Sequence, residues 1–161
     1  MGERKAGFTL IELLMVVALV GILAAVASPA LGMMVARAQT SGALNRLTTD
    51  LAYARMLAVR GGRRVEVLFV NEGSCGRARR GRVVADGYRM TVGDSSPRLL
   101  RTVRLNGDAA GVCLESNNDH DIVFNSRGLL MPFENRTVWA RRSRATDSLT
   151  ISVLGRVARR F

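Results

Sequence analysis

Hydrophobic positions along the chain change their spacing twice, and each change marks a different element. From Leu13 to Ala36 there are 24 consecutive uncharged residues. A helix rising about 1.5 Å per residue needs no more than that to cross a hydrocarbon layer roughly 30 Å thick. After Pro29 the pattern turns amphipathic. Leu44, Leu47, Leu51, Ala54 and Ala58 recur at helical spacing, while Arg46, Asp50, Arg55 and Arg60 occupy other faces. The two stretches predict one long helix from Phe8 to about Arg60, stopped by Gly61 and Gly62, whose second half lays its leucine stripe on a globular head. Beyond Gly62 the period becomes two. Strands are expected at Arg64–Val70, Gly87–Val92, Leu99–Leu105, Ile122–Asn125, Thr137–Arg142 and Leu149–Leu154, with a further one over Arg156–Phe161. Gly, Asn, Asp and Ser clusters separate them. Short strands at this spacing predict an α+β fold: a long helix packed on an antiparallel sheet or small β-sandwich. No internal repeat or linker divides the head.

The residues before the apolar run carry Arg4 and Lys5, which keeps the N-terminus cytoplasmic and sends everything after Ala36 to the other side of the membrane. A cleaved secretory signal competes with this reading, because Ala25-Val26-Ala27 followed by Ser28 fits a small-x-small cleavage site. Signal cores usually have about 7–15 apolar residues, and this run is longer. At 161 residues the chain has room for one domain plus an extension, not for a two-domain enzyme. It carries 24 basic against 13 acidic side chains, a formal charge of +11, and Lys5 is the only lysine. A GC-rich gene would account for arginine replacing lysine, but not for the excess of basic over acidic residues.

Glu12 changes the meaning of the apolar segment. An unpaired carboxylate in lipid costs on the order of 2.5–3.5 kcal/mol on insertion scales, so it needs a partner; a signal peptide has no use for one. The string Gly7-Phe8-Thr9-Leu10-Ile11-Glu12-Leu13-Leu14 closely resembles the leader and N-terminus of type IV pilins and type II secretion pseudopilins. The resemblance implies that a prepilin peptidase cuts between Gly7 and Phe8, that the new N-terminal Phe8 is N-methylated, and that Glu12 pairs with the amine of a neighbouring subunit during assembly. Such an amine would neutralise Glu12 only within an assembly. Pro29 also falls where that family often kinks its helix.

The head sharpens the resemblance. Leu51-Ala52-Tyr53-Ala54-Arg55-Met56-Leu57-Ala58-Val59-Arg60-Gly61, leading into Val65-Glu66-Val67, resembles the end of the long helix in the GspH/FimT branch of minor pilins. Phe124-Asn125-Ser126-Arg127-Gly128 matches that branch's Phe-x-x-x-Gly turn, and Ile151 to Val157 its C-terminal strand ending in Gly-Arg. The implied organisation is a leader at 1–7, a transmembrane or filament-core helix half at 8–36, an amphipathic half at 37–61 and a β-rich head at 62–161. The implied partners are other major and minor pilins, the inner membrane and the prepilin peptidase, with the head periplasmic and later extracellular on a pilus.

Catalytic signals are weak. Cys75 and Cys113 lie in the head, where oxidation is available; a disulfide would close a loop of about 38 residues and stabilise by roughly 3–4 kcal/mol, and two free thiols are the alternative. Metal binding has little support, with no Cys-x-x-Cys pair and a single histidine. His120, between Asp119 and Asp121, has the makings of a general base, but a polar loop accounts for the same residues. No phosphate-binding glycine loop or nucleophile elbow is present. No enzyme activity, cofactor or small-molecule substrate is expected.

The charge is what remains. Cleavage after Gly7 removes Glu3, Arg4 and Lys5 and lowers +11 by only one, to +10. The excess belongs to the head, in Arg77, Arg79, Arg80 and Arg82 and in a C-terminal set of Arg136, Arg141, Arg142, Arg144, Arg156, Arg159 and Arg160. A strand over 156–161 places Arg156 and Arg160 on one face about 13 Å apart, with Arg159 on the other beside Val157 and Phe161. With Arg141 to Arg144, such a row suits successive phosphates of nucleic acid, bound with little sequence preference. A solvated basic face, anionic lipid or an acidic neighbouring pilin are alternatives. FimT-like members are associated with DNA uptake in natural transformation through a C-terminal Gly-Arg-x-Arg motif, so the resemblance implies DNA contacts by Arg156, Arg159 and Arg160, to which the charge pattern adds Arg141, Arg142 and Arg144. In Gly155-Arg156-Val157-Ala158-Arg159-Arg160 the second arginine comes one position late. GspH-like pseudopilins of type II secretion share the architecture without that role, as does a minor pilin with a purely structural role in pilus assembly. Trp139 is expected in the core of its strand, with stacking on a base beside Arg141 as the alternative.

Overall fold

The computed structural model describes residues 9–76, 82–94, 96–105 and 111–160, with the backbone alone for 26–29 and 160. The chain divides into two compact units, Met1–Val35 and Ala36–Phe161. The first secondary element of the described residues is α1, Leu10–Gly61. Thr9 caps it: its Oγ1 accepts from the Glu12 main-chain N–H at 3.3 Å, and Glu12 stands in the first helical turn, where a carboxylate is favoured by the helix dipole. At the other end Gly62 adopts φ +59°, and the Arg63 N–H reaches back to the Ala58 carbonyl at 3.3 Å, a Schellman stop that Gly61-Gly62 foreshadows. No single helix among the described residues is long and apolar enough to cross a membrane, but Leu10–Ala25 and Ala30–Gly61, either side of 26–29, together are by length and composition. Leu10, Ile11, Leu13, Leu14 and their neighbours to Leu23 are exposed.

In the second unit the leucine stripe is buried as its spacing requires: Leu44, Leu47, Leu51, Ala54 and Ala58 lie in one core with both sheets. Asp50 departs from the expected outward position. It is buried, accepting a hydrogen bond from the Tyr88 hydroxyl at 2.7 Å and pairing with the Arg101 guanidinium. Burial first, then the Asp50 carboxylate, push the Tyr88 phenol far above its ordinary pKa.

Among the described residues ten strands follow: β1 (Val65–Val70), β2 (Val83–Ala85), β3 (Gly87–Val92), β4 (Arg98–Arg104), β5 (Cys113–Ser116), β6 (Ile122–Phe124), β7 (Leu130–Met131), β8 (Arg136–Arg142), β9 (Ala145–Ile151) and β10 (Val157–Arg160). They form two five-stranded sheets, β4-β3-β1-β6-β7 and β10-β9-β8-β5-β2, with every pairing antiparallel. The α+β expectation holds. Three strands absent from the sequence reading, β2, β5 and β7, have only two to four residues each, too short for alternation to register. The expected strand over Leu149–Leu154 lies earlier, because pairing with β8 recruits the polar stretch Ala145 to Ser148, while Ser152 to Arg156 turn back.

The crossing from the second sheet to the first runs through Asp86 and Gly87. A side chain at Gly87 would meet the Val103 carbonyl at 2.4 Å, so only glycine fits there. Buried Asp86 accepts the main-chain N–H groups of Glu72 (3.0 Å) and Ser74 (3.2 Å) and so holds the loop after β1. In that loop Cys75 is bonded to Cys113 at the start of β5, with the Cα atoms 5.8 Å apart. The free-thiol alternative is thereby excluded.

Candidate nucleic-acid interface

The proposed DNA-contacting arginines do not form one row. Arg141 and Arg142 end β8, and the chain turns at Ser143 (φ +50°) and Arg144 into β9, so Arg144 stands exposed at a hairpin tip. Arg141 is exposed and pairs with Glu115 at 3.2 Å; Arg142 is half-buried. Arg156 is exposed in the turn before β10, its main-chain N–H on the Ser152 hydroxyl at 3.2 Å. The Arg160 side chain lies outside the described residues, as do Gly7, Phe8, Phe161 and the cluster Arg77, Arg79 and Arg80.

Arg159 has a different setting. Its side chain is 16% exposed, pairs with Asp147 of β9, and donates to Asn45 and to the Ser41 hydroxyl (3.0 Å) of α1. It fastens the edge strand β10 to the helix, on the same side of the strand as Val157. A phosphate would have to compete with all three of these partners. Arg136 leaves the basic surface altogether. It is fully buried, donates to the His120 carbonyl, and is desolvated enough to lower its pKa.

Trp139 departs from its expected place in the core. Along β8 the inward positions are Arg136, Val138 and Ala140, so Trp139 falls on the outer face, partly exposed and outside the core. The Arg82 guanidinium lies 5.5 Å from its ring centroid. Glu115 binds Arg82 at 2.7 Å as well as Arg141. Strand parity is the signal that locates this residue, and the indole's bulk misleads.

His120 sits in a polar loop at the rim of a groove of about 700 Å³ lined by Glu66, Asp94, Asp119 and Asp121. It lies 3.7 Å from Asp119, and both are exposed. Burial and the nearby Glu66 raise the Asp121 pKa. Among the described residues no group of His, Cys, Asp and Glu is placed to hold a metal ion.

The glycines of the two head motifs meet around one side chain. Gly128 (φ +73°) and Gly155 (φ +70°) close on Arg55 of α1, whose Nε donates to the Gly128 carbonyl at 3.1 Å. A side chain at Gly155 would meet that carbonyl at 2.7 Å and Arg55 Cδ at 2.9 Å. The motifs are therefore a clamp on the helix, and they position the turn that presents Arg156.

The family model for the Type II transport protein GspH matches residues 43–155, from the amphipathic half of α1 to this second glycine. The chain belongs to the GspH family. A second model, the prokaryotic N-terminal methylation motif, matches residues 3–28 of this GspH-family chain, the stretch containing Glu12. Fimbrial protein EcpC of Eikenella corrodens is 62% identical over 43 residues, which are 27% of this chain and 28% of that protein. The chain thus matches less than a third of the length of that curated relative. The type IV minor pilin FimU of Pseudomonas aeruginosa shares the fold in two crystal forms. They have TM-scores of 0.55 and 0.53 and identities of 20% and 19%, over 77% and 74% of this chain and 90% and 91% of theirs. The GspH-family fold of this chain is therefore a type IV minor pilin fold.

Proposed function

We propose that the chain is a minor type IV pilin, held in the inner membrane with its N-terminus cytoplasmic, and that its head binds extracellular double-stranded DNA without sequence preference for uptake. On this reading the prepilin peptidase cuts after Gly7, Phe8 is methylated, Glu12 pairs with a neighbouring subunit, and residues 1–7, 8–36, 37–61 and 62–161 serve as leader, anchor, amphipathic helix and head.

The DNA reading rests on one observation: the two carboxylates on the strands of the second sheet are already committed to arginines. Asp147 is engaged by Arg159, and Glu115 is shared by Arg82 and Arg141. Arg144 and Arg156 stand exposed in the turns before and after β9. A surface of this kind binds polyanions through counterion release, and its affinity falls steeply with salt. The full chain in detergent should bind duplex DNA at low salt and lose at least tenfold in affinity on moving to moderate salt. Salt-insensitive binding, or none at micromolar DNA, refutes the proposal.

The match to a type II transport family favours a second reading, a secretion pseudopilin whose arginines face acidic neighbours. A deletion strain separates the two. Loss of transformation supports the pilin reading, and retained exoproteins with intact transformation support secretion. N-terminal sequencing of mature protein should begin at methylated Phe8; a start at Ser28 would indicate a cleaved signal.

A further inference from the structure

The outer face of the second sheet is built unlike a surface that merely meets water. Strand register places Ser148, Trp139, Glu115 and Val84 in one row across β9, β8, β5 and β2, with Thr146, Arg141 and Cys113 in the row toward the hairpin tip. Trp139 occupies the central strand of the five and is the only tryptophan in the chain. An indole serving the core would face inward with Val138 and Ala140; this one is partly exposed on the solvent side. Guanidinium groups share that face. Arg82 lies over the ring at 5.5 Å, and both Arg82 and Arg141 depend on Glu115 alone among the ion pairs of the described residues. Two guanidiniums against one carboxylate leave the patch positive beside a flat π surface.

We propose, on the basis of the DNA reading above, that this face is a stacking platform for unpaired nucleobases, with Trp139 as the stacking ring and Arg82 and Arg141 as contacts to the flanking phosphates. In a duplex the base faces are stacked on one another and only the edges are accessible. An indole on a broad sheet can therefore reach a base face only in a single strand, a gap or a frayed end. The group over the ring is an exposed surface side chain and not the core, so this indole face is covered only by a residue that a base can displace. An incoming base takes that position, and Arg82, displaced from the ring but still near Glu115, turns to the adjacent phosphate. Neutral glycans also stack on indoles, but surplus positive charge beside the ring favours a polyanion.

The single tryptophan makes the test direct. The full chain in detergent is titrated with a short oligothymidylate and with a closed circular duplex, which has no ends, and Trp139 emission and binding are followed together. Saturable quenching by the oligothymidylate, and none by the duplex, is expected. Trp139→Ala should weaken single-strand binding by roughly 5- to 150-fold, the range for loss of one stacked base. Duplex binding should change by less than about twofold. Trp139→Phe, which keeps a ring, should retain most of the single-strand affinity. Binding of both DNAs with unchanged emission, and with Trp139→Ala indistinguishable from the parent, overturns the platform and leaves the DNA reading standing. Binding of neither overturns both. Quenching by a neutral chitin oligosaccharide but not by oligothymidylate overturns the platform in favour of a glycan.

Discussion

Arg136 and Arg141 lie at opposite ends of β8 and on opposite faces of the second sheet. The inner residue is fully buried, its Nη1 on a main-chain carbonyl, and its Nε and Nη2 meet no hydrogen-bond partner among the described residues. The outer one is exposed and shares a carboxylate with Arg82. The edge of the sheet repeats the contrast: Arg159 is tied down by Asp147, Ser41 and Asn45, whereas Arg156, in the turn just before that strand, is exposed. One residue type thus serves two purposes, and the parity of the strand decides which. Net charge counts all of these arginines alike, but only the outer ones are placed to meet a polyanion.

The contrast can be broken from either side. Leu149→Ala, at a fully buried inner position, is expected to cost about 2–5 kcal/mol in denaturant unfolding. Arg159→Ala strands a partly buried Asp147 and is expected to cost about 1–3 kcal/mol, discounted from the fully buried case because both side chains keep some solvent contact. If Arg159→Ala left stability unchanged and only weakened DNA binding, Arg159 would belong with the outer set. Arg136→Met is expected to change stability by less than about 1 kcal/mol, or to raise it, because an apolar side chain of similar length removes a buried charge with unpaired N–H groups. A loss above about 3 kcal/mol would mean that the guanidinium is well satisfied after all. The smallest stability effect, within about 0.5 kcal/mol, is expected for Arg144→Gln and Arg156→Gln, which alter the surface and no packing.

Much of the architecture was legible in the sequence because it depends on spacing. The leucine stripe, the Gly61-Gly62 stop and the period-two head each follow from a local rule, and all appear in the structure. The disulfide was legible from compartment and number, with its alternative settled by the structure. What the sequence hid was the facing of long polar side chains. Asp50 reads as one more polar position on an amphipathic helix, and only the first sheet brings Tyr88 and Arg101 to it. Arg136 and Arg159 read as surface charge for the same reason. Trp139 reads as core because of its bulk, whereas register with β5 and β9 gives the inner face to smaller aliphatic residues. Gly128 and Gly155 are visible as motif residues, but their shared contact with Arg55 joins positions far apart in the chain.

The most direct test compares salt dependence between the two sets of arginines. Full-length protein in detergent is titrated with duplex DNA over a range of salt concentrations, as the parent, as Arg141→Gln/Arg144→Gln/Arg156→Gln, and as Arg136→Met. The outer triple variant should reduce the slope of log K against log salt by up to about 2.7, near 0.9 per lost phosphate contact, with its unfolding midpoint unchanged. Arg136→Met should keep the parental slope. An unchanged slope in the triple variant, or an equal reduction in Arg136→Met, would contradict the assignment of DNA binding to the outer arginines.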